Sequence, residues 1–207
     1  MDGTLTLAAH DFQGFKKAHG LPVDRPILES IDNASPEQAA HWQRCLQDWE
    51  RDIAHQAQCA PDAIPLLQHL HRRGDHLGIL TRNTRELAMI TLQQAGLLSF
   101  FEPAVILGRD SATPKPDPAG IVHILNHWGG SAEQTTMVGD GIFDLEAGRN
   151  AGVRTVWINR MHRTDPARQA MADRVVHRLD ALLDPDDVLN WGVPSQSAPR
   201  PGRKASR

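Results

Sequence analysis

The chain has 207 residues, enough for one α/β domain with a modest insertion and an ordinary buried core. A formal charge of −3 and a pI near 6.4 give no electrostatic ground for nucleic acid as a partner. No stretch nears the roughly 20 apolar residues of a membrane span, and no basic-then-apolar leader opens the chain. The two cysteines, Cys45 and Cys59, match no zinc spacing and fit a reduced, cytoplasmic protein.

The chain opens Met1-Asp2-Gly3-Thr4, an acidic residue followed by a residue suited to turning the backbone. Residues from about 10 to 60 then read as helical, with no strand-like run. Phe12, Phe15, Lys16 and His19 recur at helical spacing and close at Gly20-Leu21-Pro22. A longer helix runs from Pro36 through Trp42, Leu46, Trp49 and Ile53, with Ser35 ahead of Pro36 as its start signal.

From Ile64 onward helix and strand alternate. The spacing predicts a helix over Ile64–Arg73 stopped by Gly74, then a strand over His76–Leu80. Asn83 and Glu86 have capping-box spacing ahead of a helix ending at Ala95-Gly96. A strand over Ala104–Leu107 follows. A helix then starts at Asp117-Pro118 and carries Ile121, Ile124, Leu125 and Trp128 on one face. Thr135–Val138 reads as a strand, Asp144–Asn150 as a helix, and Arg154–Ile158 as a strand. Val175-Val176 with Leu179, Leu182 and Leu183 makes a last strand and short helix. Strands alternating with helices imply a Rossmann-like, doubly wound parallel sheet covered on both faces, with its site at the carboxyl ends of the strands. His69 and His71 alternate along a helix and do not share a face, so they are not read as a metal site.

Four strings fall at these strand ends and loops: Asp2-Gly3-Thr4, Leu80-Thr81-Arg82-Asn83, Pro114-Lys115-Pro116-Asp117-Pro118, and Gly139-Asp140-Gly141-Ile142-Phe143-Asp144. In that order they resemble the motifs of the haloacid dehalogenase superfamily, and in particular its phosphoglycolate-phosphatase-like members with a small helical cap. The resemblance covers roughly residues 1–180. It implies a core of residues 1–9 and 61–191, a helical cap of residues 10–60, and a tail of residues 192–207. The tail holds Arg200, Arg203, Lys204 and Arg207 and no acid, and its composition predicts disorder.

By the same resemblance the activity is a phosphatase acting on a small phosphorylated metabolite through a phospho-aspartyl intermediate, with Mg2+ as cofactor. Asp2 takes the acid/base role and faces the metal, and Thr81 and Lys115 hold the phosphoryl group. Gly3 and the backbone N–H groups of Arg82 and Asn83 complete the substrate pocket, and Asp140 and Asp144 serve the metal. Asp144 acts through water or by steadying Lys115. Mg2+ suits such carboxylate oxygens, since it keeps several waters and needs one or two carboxylates. The presence of Asp2 favours phosphoryl transfer over dehalogenation. His10, Asp11 and Lys16 sit near the hinge of the cap, within reach of substrate.

The family's nucleophilic Asp would fall one position before Met1, at the end of a central apolar strand between those ending near Leu80 and Val138. We therefore expect the start to have been assigned at an internal Met of Asp-Met-Asp-Gly-Thr. The alternative is a catalytically dead protein that keeps the pocket to bind a phosphometabolite.

Overall fold

The computed structural model describes residues 1–183; the tail expected over residues 192–207 lies outside them. Three helices follow the opening segment: α1 (Phe12–His19), α2 (Ile27–Asp32) and α3 (Pro36–His55). Asp11 caps α1 by accepting from the Gly14 N–H, and Gly20 ends it at φ 68°, a left-handed conformation that favours glycine. Ser35 caps α3 by accepting from the Gln38 N–H, with Pro36 at the first helical position. The helices pack around Phe15, Leu21, Ile27, Ile31, Trp42 and Leu46. The Trp42 indole donates to the His19 carbonyl at 2.9 Å, tying the end of α1 to α3. The six-residue α2 is too short to carry a readable period, and the sequence reading passed over it.

The remainder alternates helix and strand. α4 (Ala63–Arg73) leads to β1 (Ile79–Leu80), α5 (Arg85–Gln94) to β2 (Ile106–Leu107), and α6 (Ala119–Trp128) to β3 (Thr136–Gly139). α7 (Ile142–Asn150), β4 (Arg154–Ile158), α8 (Pro166–Met171) and β5 (Arg174–Val176) complete the series. Among the described residues the named strands pair in parallel, β1 with β2, β3 with β4, and β4 with β5, and an isolated antiparallel bridge joins Thr6 to Cys59. This is the α/β architecture expected. β1 and β2 are shorter than the strands anticipated from His76 and Ala104, and Pro103–Val105 forms a 3-10 turn instead. α8 was not anticipated.

The strands form two parallel sheets, β2-β1 and β3-β4-β5. A cavity of about 490 Å3 is lined by β1 and β3 and by apolar side chains including Leu66, Leu70, Leu77 and Leu182. Met1, Thr4 and Leu5 also line it. They lie on a tight turn whose Met1 carbonyl accepts from the N–H groups of Thr4, Leu5 and Thr6. β3 is accordingly only half-buried over Thr136–Val138, although parallel strands in such folds are usually covered on both faces. No helix among the described residues is long and apolar enough to cross a membrane.

Candidate active site

Thr81 directly follows β1, and Asp140 directly follows β3. Thr81 is buried, its N–H donating to the Leu107 carbonyl at 3.0 Å, which continues the β1–β2 ladder by one residue. Its hydroxyl oxygen accepts from the Asn83 N–H at 3.2 Å, so that N–H is engaged by Thr81 itself. Thr84, not Asn83, caps α5, accepting from the Leu87 N–H. The capping reading of Asn83 is corrected by one residue, because Thr84 is the last extended residue before the helix. The freed Asn83 amide donates to Asp2 at 3.2 Å, joining two of the four motifs.

Lys115 is buried between Pro114 and Pro116, with a cis bond to Pro116. Its ammonium donates to the Leu80 carbonyl at 2.8 Å and to the Asp144 carboxylate at 2.5 Å. The other Asp144 oxygen accepts from the Gly141 N–H at 2.9 Å, closing the first turn of α7. Burial pushes the Asp144 carboxyl up, but the Lys115 charge and hydrogen bonds outweigh it and hold the group below its ordinary value. Both Asp144 oxygens are therefore taken by protein donors.

Asp140 behaves in the opposite way. Burial, then the negative charge of Asp144, push its carboxyl above the ordinary value. Its one hydrogen bond from a side chain is a long one from the Thr4 hydroxyl, 3.4 Å. Gly3, at φ 73°, lies against this carboxylate, and a Cβ there would collide with it. Asp2 accepts from the Thr6 hydroxyl and from Asn83, both neutral donors. Asp2 and Asp140 thus present hard oxygen donors whose charge no protein cation pairs at hydrogen-bond distance, a donor set that fits a divalent ion such as Mg2+. Asp144 fits a role on Lys115 or through water.

Several side-chain pairings of this region had no signal in the sequence. Arg82, expected to contribute its backbone, forms a bidentate pair with Glu29 of α2, at 2.8 and 3.0 Å, and donates to the Lys115 carbonyl at 2.9 Å. Its guanidinium also stacks over the Phe143 ring at 4.3 Å. Arg109 makes a second bidentate pair with the buried Glu50 of α3, both bonds 2.8 Å, and donates to the Arg82 carbonyl. These pairs tie α2 and α3 to the strand ends. Arg160 does the same for the opening turn, holding Asp62 in a bidentate pair and donating to the Thr4 carbonyl, all at 2.8 Å. His10 is used elsewhere, against Phe12 and Trp49, and Asp11 is spent on its cap.

Fold and site together define an α/β protein with its polar side chains at the ends of parallel strands and a helical layer tied over them. The haloacid dehalogenase-like hydrolase profile matches residues 10–158, and the chain belongs to that family. It is 39% identical over 116 residues to pyrophosphatase PpaX of Halalkalibacterium halodurans, covering 56% of this chain and 54% of that protein. It is 28% identical over 141 residues to a phosphoglycolate phosphatase of Agrobacterium fabrum, covering 68% and 60%. The matches thus span a little over half the length of these relatives. A family IA haloacid dehalogenase hydrolase of Entamoeba histolytica superposes with a TM-score of 0.77 at 17% identity, covering 92% of this chain and 96% of the other.

Proposed function

We propose that the protein is a Mg2+-dependent phosphatase of small phosphorylated metabolites, similar to phosphoglycolate phosphatase, acting in the cytoplasm. The observation that carries this reading is the buried Lys115–Asp144 pair, with Lys115 also bound to the carbonyl of Leu80, the residue before Thr81, and Asp140 held by a side chain only through the long bond from Thr4. The names of the relatives, a pyrophosphatase and a phosphoglycolate phosphatase, point the same way. In this reading residues 1–9 and 61–191 are assigned to the core, of which residues 184–191 lie outside the described residues, and residues 10–60 to the cap.

If an Asp precedes Met1, its carboxylate would attack phosphorus, forming an acyl phosphate as the bond to the leaving oxygen breaks. Asp2 gives that oxygen its proton. Asp2 then takes a proton from water, whose oxygen attacks the same phosphorus, breaks the acyl–phosphate bond and releases inorganic phosphate. Thr81 donates its hydroxyl to a phosphoryl oxygen, and Lys115, fixed by Asp144, balances the charge on the phosphoryl group. Mg2+ would be held by Asp2 and Asp140, with Asp144 behind Lys115, and would supply neutralisation of the phosphoryl charge.

The test begins with the intact mass and N-terminal peptide of the protein made from its natural gene. If Asp precedes Met1, that protein should release phosphate from phosphomonoesters in a Mg2+-dependent way, and Asp140→Asn should abolish the release. Near-normal turnover in Asp140→Asn would sink the metal assignment. If no Asp stands there, the pocket binds a phosphometabolite without turning it over, which Mg2+-dependent phosphate binding without release would support.

A further inference from the structure

Above the strand ends, a second cavity of about 440 Å3 lies between the helical layer and the core. Its floor holds Arg82, Asn83 and Phe143, so it begins where Asn83 meets Asp2. Its far wall holds Lys16 of α1 and the exposed loop of Val23, Asp24 and Arg25. Of the other cations lining it, Arg109 is neutralised by Glu50, Arg82 by Glu29, and Arg25 is exposed to solvent. Lys16 is different. It is only 7% exposed, its ammonium donates to one neutral group, the Val23 carbonyl, at 3.3 Å, and no described carboxylate pairs with it. A buried cation without a counter-charge is unfavourable unless something else supplies one. Apolar neighbours on the same wall, Ile27, Leu28 and Leu46, keep the local dielectric low and strengthen any charge pairing made there.

We propose that Lys16 is a recognition point for a second anionic group on the leaving part of the substrate, a carboxylate or a second phosphoryl group. The ligand is then a compact phosphate ester with a charge at each end: its phosphoryl end at Thr81 and Lys115, which lie outside the lining of this cavity, and its leaving part reaching past Arg82 and Asn83 to Lys16. This rests on the phosphate pocket of the preceding section and deepens it by naming what the leaving group carries.

Calorimetric titration of the full chain with Mg2+ present tests it, using orthophosphate, methyl phosphate, 2-phosphoglycolate and pyrophosphate as probes. The quantity read is the affinity advantage of a doubly anionic probe over methyl phosphate. That advantage should be about tenfold to a hundredfold, the range of a charge-assisted hydrogen bond. It should collapse in Lys16→Met, survive in Lys16→Arg, and be untouched in Lys17→Met, whose side chain is exposed. An advantage for 2-phosphoglycolate alone assigns a carboxylate, and one for pyrophosphate alone a phosphoryl group. Equal affinity for charged and neutral esters, or an advantage that persists in Lys16→Met, overturns the proposal while leaving the phosphate pocket standing. Failure of orthophosphate itself to bind removes the pocket, and this inference with it.

Discussion

Lys115 shows how one residue can be legible in kind and illegible in function. Its flanking prolines mark a loop that restricts the ammonium, but its two acceptors, the Leu80 carbonyl and Asp144, lie 35 and 29 residues away. Removing the ammonium leaves Asp144 buried and unpaired. Lys115→Met should therefore cost about 3–5 kcal/mol, the range for breaking a buried pair from one side. The double variant Lys115→Met with Asp144→Leu should recover much of that in urea unfolding. A single-variant loss below about 1 kcal/mol would show that the pair is solvated in solution. Gly3 is the second such residue. Its positive φ and its contact with Asp140 leave no room for a side chain, so Gly3→Ala should lose more than about 1 kcal/mol and weaken Mg2+ binding together.

Among the elements, helix starts and stops are local, and most were readable: Ser35-Pro36 for α3, Gly20 for α1, Gly74 for α4. The exception is α5, where Asn83 and Thr84 are both competent caps and the choice depends on what else Asn83 can reach. Asp2 decides it, and that contact spans 81 positions. Thr84→Ala should thus cost about 1 kcal/mol as a lost N-cap. Asn83→Ala should change the thermal midpoint far less while altering Mg2+ or phosphate binding through Asp2. Equal thermal losses would return the cap to Asn83. The layer of α1, α2 and α3 depends on another pairing of distant residues. Arg109→Met strands Glu50, which is 5% exposed, and should destabilise by about 3 kcal/mol, whereas its Gln partner change at Glu50 should cost less.

At the scale of the whole molecule, Asp62 is the knot. It is almost fully buried at the start of α4, pairs with Arg160 after β4, and accepts from the Leu179 N–H near the end of the described chain at 2.6 Å. Arg160 in turn holds the opening turn through Thr4. Burial pushes the Asp62 carboxyl up, but Arg160 and the Leu179 N–H prevail and set it below its ordinary value. A carboxyl lowered on folding stabilises fully above its unfolded value, about 3.9, and loses that contribution as pH falls through the folded value beneath it. The gap in melting temperature between the wild type and Asp62→Asn should be constant above about pH 5 and shrink below about pH 4. A gap that stays open at pH 3 would show that the pair contributes by packing rather than charge.

Alternation of helix and strand, most of the helix caps, and the order of the four motifs were contained in the sequence, because each rests on residues a few positions apart. Those same motifs placed Thr81 and Asp140 at strand ends, Lys115 in a loop and Asp144 at a helix start, and so pointed to the family. Only the tertiary structure decided how charges were divided among them. It spent Asp144 on Lys115, left Asp140 without a hydrogen-bonded cation among the described residues, assigned Arg82 and Arg109 to Glu29 and Glu50, and buried Lys16 against a cavity. The physical reason is range: propensity and capping act within a turn or two of the chain. Desolvation and charge pairing depend on which groups folding brings within a few ångströms, and that is a property of the packed molecule alone.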